Sequence, residues 1–480
     1  MTITEYFLLS LLYFWASSTS LSFGVGYYTV YRPVLSGLLA GMAVGDPFAG
    51  MVAGGVVNII YIDFVSTGGS FKGDQCLTAI IAALASVMLK LSPLEAAAAA
   101  YPFGFLGILI WRYRLNINSL FVKVYESKHE NGKNPNISFY DGVYPQLTLY
   151  AMSTAVILSA VLSMFLLKSV LLSTRGALFI AGLFLVYMSV CNVLVKIGCK
   201  RGILLFAASF LLTLETDPDS NILFGVFMMI TFVISNKDLY LNRIDSSKGG
   251  IISKRDLVYS WFIWMNYSHS CYSYDRLQGM AFAHSMKNIF RKLYGDTEAA
   301  YDAIHRHSEF FNTEPNMGTP IHGYIIAMEE QHVQDKDTAG IMFMKKGMMG
   351  IAAGLGDSYT QVVLTPLYLS MCIMLCMDGS YYMALMPMLM LTFTILTLSY
   401  NGFMKGYYEG KESLIERIDI VKKSRLKIYF PYIFAGILGV SVGKLLMHDS
   451  VMKDLTIHAA VGIISIVLTA LKNRRSLKFQ

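Results

Sequence analysis

The sequence predicts an all-α polytopic membrane protein, and three observations carry that reading. Of 480 residues, 55% are hydrophobic and only 15% are charged, against roughly 25% charged in soluble domains. The mean hydropathy is +0.50. The apolar residues fall in repeated runs separated by short polar stretches rich in Gly or Pro. A formal net charge of +7 is spread over these stretches and not gathered in one basic block. It reads as cytoplasmic-loop bias, and no nucleic-acid partner is expected. Six cysteines, at 76, 191, 199, 271, 372 and 376, show no CxxC spacing. Neither a disulfide framework nor a metal site is expected, and no cofactor motif is present.

The first run, residues 3–18, has no basic leader segment and no small-residue cleavage site, so it is read as a retained membrane helix. The next run is broken in its middle. Gly37, Gly41 and Gly45 recur every fourth residue, which lets another backbone approach closely. Asp46 and Pro47 then disfavour helix continuation. The expectation is two half-helices meeting at Gly45, Asp46 and Pro47, a hinge of the kind membrane transporters use to hold a substrate. A tight helix crossing with a solvent-facing turn fits this stretch equally.

Asn58 and Asp63 punctuate the apolar segment that follows, and residues 66–75 form a Gly-rich turn with Ser70, Lys72, Asp74 and Gln75. This turn has no phosphate-loop pattern. Its short polar side chains suit hydroxyl recognition. Further apolar segments follow near 75–91, 95–111, 147–167, 177–194, 203–213 and 222–234. Several are shorter than the roughly 20 residues of a straight span, which argues for hairpins and re-entrant pieces. The basic loop after Trp111 is read as cytoplasmic.

Residues 237–256 are polar and contain Gly and Ser, and are read as a cytoplasmic linker between membrane domains at 1–236 and 257–480. Beyond the linker the chain is aromatic and amphipathic, suited to helices that lie along an interface. Gly295 and Asp296 read as a helix stop. The stretch Ala299–Gln331 is too polar to cross a bilayer alone, and its density of His305, His307, Glu309, Asn312, His322, Glu329 and Glu330 marks a site or an aqueous surface. A helix-ending network around Asn312 and Thr313 explains part of it. Glu329 and Glu330 are adjacent, so one is expected to face a pocket and the other water or a cation. Lys345 and Lys346 are read as a solvated helix start, with a loop that meets a soluble partner as the alternative. The turn Gly354–Asp357 echoes Ala43–Asp46, giving a second hinge at Gly356 and Asp357. Four more membrane segments are expected near 364–377, 382–398, 428–445 and 456–471, with an interfacial helix at Lys411–Lys427.

The stretches Arg306–Pro315 (RHSEFFNTEP), Ala327–Gln331 (AMEEQ), Lys345–Ser358 (KKGMMGIAAGLGDS) and Asn401–Gly410 (NGFMKGYYEG) resemble the IID membrane subunit of mannose-family sugar phosphotransferase systems. Before the linker, YRPVLSGLLAGMAVGD, GGVVN and GGSFKGD are similar to the IIC subunit. The resemblance implies a natural IIC–IID fusion that works as a trimeric sugar permease with inverted repeats and a moving, elevator-like core. In such systems soluble A and B components carry and deliver the phosphoryl group, so no histidine of this chain is expected to be a phosphocarrier.

The scaffold motifs are kept while the sugar-facing ones are altered. His269–Arg276 replaces a pattern with glutamine, tryptophan and asparagine, keeping the acid and the arginine. Asn58 stands where the resemblance implies an acid or glutamine. Gly26–Thr29, Thr360, Gln361 and Thr365 depart likewise. The sugar could therefore be a different hexose, an amino sugar or a sugar–amine conjugate. The substrate-binding set expected is Asn58, Asp63, Asp74, Gln75, His269, Asp275, Arg276, His307, Glu309 and Asn312. A non-transporting receptor on the same scaffold is the rival function. An ion-coupled transporter has only Asp46, Asp63 and Asp357 to recommend it.

Overall fold

The computed structural model describes residues 1–18, 22–62, 73–235, 250–295, 297–335, 338–448 and 455–476. Among them every element is helical, apart from isolated bridges joining Ser273, Leu277 and Phe311. The chain begins with α1 (Ile3–Ser18), α2 (Pro33–Val44), α3 (Pro47–Ile60), α4 (Gln75–Leu89), α5 (Pro93–Ala100) and α6 (Gly104–Glu130). It continues through α7 (Tyr144–Leu166), α8 (Lys168–Ser173), α9 (Arg175–Ile197), α10 (Lys200–Thr216) and α11 (Ser220–Ser235). Next come α12 (Lys254–Tyr267), α13 (Gly279–Tyr294), α14 (Glu298–His307), α15 (Thr319–Asp335) and α16 (Thr338–Gly356). The last five are α17 (Thr365–Met377), α18 (Met386–Glu409), α19 (Lys411–Lys423), α20 (Arg425–His448) and α21 (Leu455–Ser476).

Six stretches are long and apolar enough to cross a membrane: Pro93–Glu130, Phe139–Leu166, Arg175–Ile197, Ala339–Met377, Met383–Glu409 and Lys411–Met447. Shorter apolar helices accompany them, among them Pro33–Val44, Pro47–Ile60 and Gln75–Leu89. The first two form a hairpin. Gly45 ends α2 in the left-handed region at φ 100°, and the Asp46 carboxylate caps α3 by accepting from Ala49 N at 3.0 Å. Pro47 opens α3, where its missing N–H does no harm. The two arms are about 18 and 21 Å long, too short to span separately.

The hairpin closes because glycines face glycines. A Cβ at Gly54 would lie 2.1 Å from Pro33 O, and one at Gly50 would lie 2.3 Å from Gly37 O. The described residues form two buried apolar clusters, the first of which includes the hairpin. The first joins α1, α3, α4, α7 and α9 to α17 and α20, and the second joins α6 to α12, α13, α15 and α18. Each core therefore draws on both sides of residues 236–249.

Three expectations need correction. The chain does not break at Gly356 and Asp357: Gly356 keeps helical angles (φ −60°, ψ −54°), and the backbone runs on through a π-helical segment, Asp357–Leu364, into α17. No proline follows Asp357 to interrupt it, and Pro366 falls at the start of α17, where a helix accepts it. Lys345 is not at a solvated helix start, because α16 begins seven residues earlier, at Thr338. The Lys345 side chain is fully buried, with its ammonium donating to His307 O at 2.7 Å and lying 4.3 Å from the Phe282 ring centre. The amphipathic helix expected over Lys411–Lys427 ends at Lys423, where Ser424 turns the chain into α20. Gly295 does end α13, at φ 72°, while Asp296 lies outside the described residues.

Candidate substrate cavity

A cavity of about 280 Å³ opens where the two sides of the chain meet. The N-terminal side supplies Tyr27 and Tyr28 from a short 3-10 turn, with Trp111 and Arg112 from α6. The C-terminal side supplies His269 and Tyr272 from the turn after α12, and Gln278 at the head of α13. It also supplies the turn Asn312–Asn316, and Asp357 and Gln361 from the π segment. A π-helical stretch presents more side chains to one face than a regular turn does, and such stretches recur at functional sites.

The turn Asn312–Asn316 is held rigidly. Thr313 N donates to Gln278 Oε1 at 2.9 Å, and Gln278 Nε2 donates back to Thr313 O at 3.0 Å. Trp264 Nε1 donates to Pro315 O at 2.8 Å. The buried Glu314 carboxylate accepts from Met317 N at 2.6 Å, Asn316 N at 3.2 Å and Asn316 Nδ2 at 3.0 Å. It also accepts from the Tyr28 hydroxyl at 2.9 Å, which ties the turn to the N-terminal side. Burial pushes the Glu314 carboxyl above its ordinary range, and these donors oppose that rise.

The turn carrying His269 is fixed by α6. Arg114 donates to the backbone oxygens of His269 at 2.5 Å, Ser270 at 3.2 Å and Ser17 at 3.1 Å. One turn along, Asn118 Nδ2 donates to Tyr272 O at 2.8 Å. Burial, then the positive charge of Arg114, holds His269 at about 4, so its imidazole is neutral near pH 7. The Tyr272 hydroxyl donates to Asn312 Oδ1 at 3.3 Å. The Asp357 carboxylate has no hydrogen-bond partner among the described residues and remains free to accept from a ligand.

Of the residues expected at the site, His269 and Asn312 line this cavity, as does Asp357, which was expected as a hinge. Asn58 and Gln75 line a much smaller chamber behind it. Asp63 lies outside the described residues. The others are elsewhere. Asp74 caps α4, accepting from Leu77 N at 2.9 Å and from the Tyr13 hydroxyl at 2.8 Å. Asp275 is exposed and off the cavity wall. Arg276 is ion-paired with Glu126, and Glu309 with Lys346 at 2.9 Å.

His307 is fully buried against Glu329, 2.8 Å away, and Glu329 also meets Arg306 at 2.8 Å and the Tyr294 hydroxyl at 2.6 Å. Glu330 accepts from Ile252 N at 2.8 Å and from the Tyr407 hydroxyl at 2.5 Å. The polar stretch thus splits into a packing network and one turn of cavity wall. Sequence reading left out Trp111, Gln278, Glu314 and Asn316, and named Tyr28 only within Gly26–Thr29, as a departure from the sugar-facing pattern. Glu314 alone carried a visible signal, a charged residue directly before Pro315 in the most polar stretch of the chain.

Two family descriptions match successive parts of the chain. Residues 3–234 match the "PTS system sorbose-specific iic component", and residues 251–471 match the "PTS system mannose/fructose/sorbose family IID component". The chain is 33% identical over 159 residues to the fructose permease IID component of Bacillus subtilis, covering 33% of this chain and 58% of the relative. It is 34% identical over 164 residues to the mannose-specific EIID component of Escherichia coli K12, covering 34% and 56%. A sorbose-specific EIID component from Lacticaseibacillus casei is 29% identical over 161 residues, covering 33% and 57%. The chain thus spans a little over half the length of the curated relatives it matches. A chain from the structure of the mannose transporter ManYZ with microcin E492 is 25% identical, with a TM-score of 0.32, covering 48% of this chain and 90% of that one.

Proposed function

Because the chain belongs to the mannose/fructose/sorbose phosphotransferase family and carries its IIC and IID membrane components in tandem, we propose that it is a sugar permease whose substrate sits in the cavity between its two sides. The observation that carries this reading is that neither side makes the cavity alone. Its polar wall of neutral hydrogen-bonding groups suits hydroxyls: Tyr28 and Asn316, Gln278 and His269, Asn312 and Gln361. Asp357 can accept from two hydroxyls at once. The rings of Tyr27, Trp111 and Tyr272 suit the apolar C–H faces of a sugar. A volume near 280 Å³ is at the small end for ligand pockets and matches a single monosaccharide.

In this reading the chain binds and moves the sugar, and a separate phosphorylated IIB component, charged by IIA, phosphorylates it on the cytoplasmic side. The expected setting is the bacterial cytoplasmic membrane, as three copies, with the hairpin α2–α3 and the π segment travelling together as the core. The division into membrane domains near residues 236–256 is part of the same proposal.

The test is uptake of labelled hexoses and amino sugars into vesicles holding the full chain, with and without purified A and B components and a phosphoryl donor. Accumulation of one sugar as its phosphate only with the partners supports the permease. Binding with no accumulation under any partner condition rejects it.

A further inference from the structure

A separate cavity of about 260 Å³ lies on the C-terminal side, between α16 and α19. Met344, Met348, Ile351 and Leu355 line it at three- and four-residue spacing, and so form one face of α16. Leu414, Ile415 and Ile418 line it from α19. Apart from Lys411 and Arg417 every lining residue is apolar, and no acid is among them. The groove shares no lining residue with the sugar cavity.

The two cations define the occupant. Lys411 is exposed and makes no ion pair among the described residues. The half-buried Arg417 has no carboxylate partner among them either: its Nη2 donates to Leu398 O at 2.7 Å and its Nη1 to Met317 O at 3.5 Å. A charge set in an apolar wall is costly without a counterion. An apolar slot with two cations and no acid therefore complements an amphiphile with an anionic head. A sugar or a nucleotide lacks the tail, and a neutral lipid lacks the charge. The groove is open along one side, since Ile351 and Ile415 line it yet stay 55% and 58% exposed. That opening leaves room for a second acyl chain outside, which favours a phospholipid over a fatty acid. The helix α19 is itself amphipathic, of the kind that lies at the level of the headgroups, where lysine side chains reach the phosphates.

We propose that this groove is a binding site for one anionic phospholipid, with an acyl chain seated between α16 and α19 and the phosphate against Lys411. The charge of Arg417 adds to the attraction from within the wall. The helix α16 also walls the sugar cavity, through Ala353, so the lipid braces that wall from its other face. The site needs no sugar and stands apart from the permease reading.

The full chain, stripped of native lipid in mild detergent, is titrated with phosphatidylglycerol and with phosphatidylcholine of the same acyl chains. Native mass spectrometry counts the lipids retained per chain, and thermal unfolding follows stability. The site predicts one phosphatidylglycerol held about fivefold or more tighter than phosphatidylcholine, with a higher melting temperature when it is bound. Lys411→Gln abolishes that preference. Lys422→Gln removes the same charge from α19 outside the groove and keeps it. Ile351→Trp fills the open side at an exposed position, so without lipid it melts as the wild type does, and it retains less of both lipids. If Lys411→Gln and Lys422→Gln weaken phosphatidylglycerol equally, the attraction is diffuse and the site is rejected. Equal retention of the two lipids by the wild type rejects it, as does undiminished retention by Ile351→Trp. If the wild type retains neither lipid, the groove belongs to a protein partner or to a segment of chain, and the proposal falls.

Discussion

The hydroxyl of Tyr28 donates to Oε1 of Glu314 at 2.9 Å, joining residues 286 positions apart across the cavity. Gln361 Nε2 donates to the same hydroxyl at 3.0 Å, so one phenol ties the IIC-like side, the Asn312–Asn316 turn and the π segment together. Tyr28→Phe removes that junction while keeping the ring. It is expected to lower sugar affinity about tenfold and to cost about 1 kcal/mol of stability, since Glu314 keeps its other donors. Glu314→Ala is expected to cost about 3 kcal/mol, because it strands buried donors at Met317, Asn316 and Tyr28 together. Sugar titration and thermal unfolding of the two purified variants check both figures. Equal effects from the two would show that the phenol alone fixes the turn.

Arg114 and Asn118 hold the His269 turn from α6, through backbone oxygens only. Recognition of backbone is indifferent to the side chains of the turn, so His269→Gln should leave the turn in place and change ligand preference. Asn118→Ala should loosen it, costing about 1–2 kcal/mol and weakening sugar binding without altering which sugar is preferred. Competition binding with a fixed set of sugars separates a change of ranking from a uniform loss.

Acid should destabilise the fold in a defined window. Burial holds His307 at about 4, the hydrogen bond to Glu329 opposing the fall, and burial also holds His269 at about 4 and pushes His322 well below its ordinary range. An exposed imidazole takes its proton near 6.5. Between about pH 6.5 and pH 4 the unfolded chain therefore binds protons that the folded chain refuses, and stability falls as pH falls through that window and is full above it. Glu329 is driven up by burial but brought to about 2 by His307, Arg306 and Tyr294, so its contribution is lost only below the ordinary carboxylate range. Each imidazole held near 4 accounts for about 3 kcal/mol across the window. Thermal unfolding in detergent from pH 8 to pH 4 should show a steady decline below 6.5. Replacing His307 with Gln should shallow that decline by about one proton.

Hydropathy and glycine spacing made the helical class and the break at Gly45–Pro47 legible, because both depend on neighbours in sequence. The supposed hinge at Gly356–Asp357 was misread for the same reason: the GLGD echo of AVGD is local, but the proline that stops α2 has no counterpart after Asp357. On the cavity wall, Asn312 was named from the polar density of its stretch and His269 from the altered motif His269–Arg276. Arg276, His307 and Glu309 were equally polar, yet their partners Glu126, Glu329 and Lys346 lie 150, 22 and 37 residues away, and nothing local announces a pairing. Trp111 was missed because an aromatic residue in an apolar chain looks like packing until the fold turns it into a wall.

The hairpin between α2 and α3 supplies the sharpest mutational test of packing. A Cβ at Gly54 would meet Pro33 O at 2.1 Å, a backbone atom that cannot rotate away, so Gly54→Ala has to separate the two helices. Separation would also disturb Asn58, one turn further along α3, and with it the small chamber. Overpacking of this kind typically costs about 1–3 kcal/mol or more. Gly436 in α20 provides the control, since a Cβ there has nothing within 4 Å. Gly436→Ala should be neutral or stabilise by up to about 1 kcal/mol, as alanine favours helix over glycine. Melting temperatures of the two variants should therefore move in opposite directions from the wild type. A Gly54→Ala protein as stable as Gly436→Ala would show that the helices part without penalty, and the close glycine contact would then have no part in holding the hairpin.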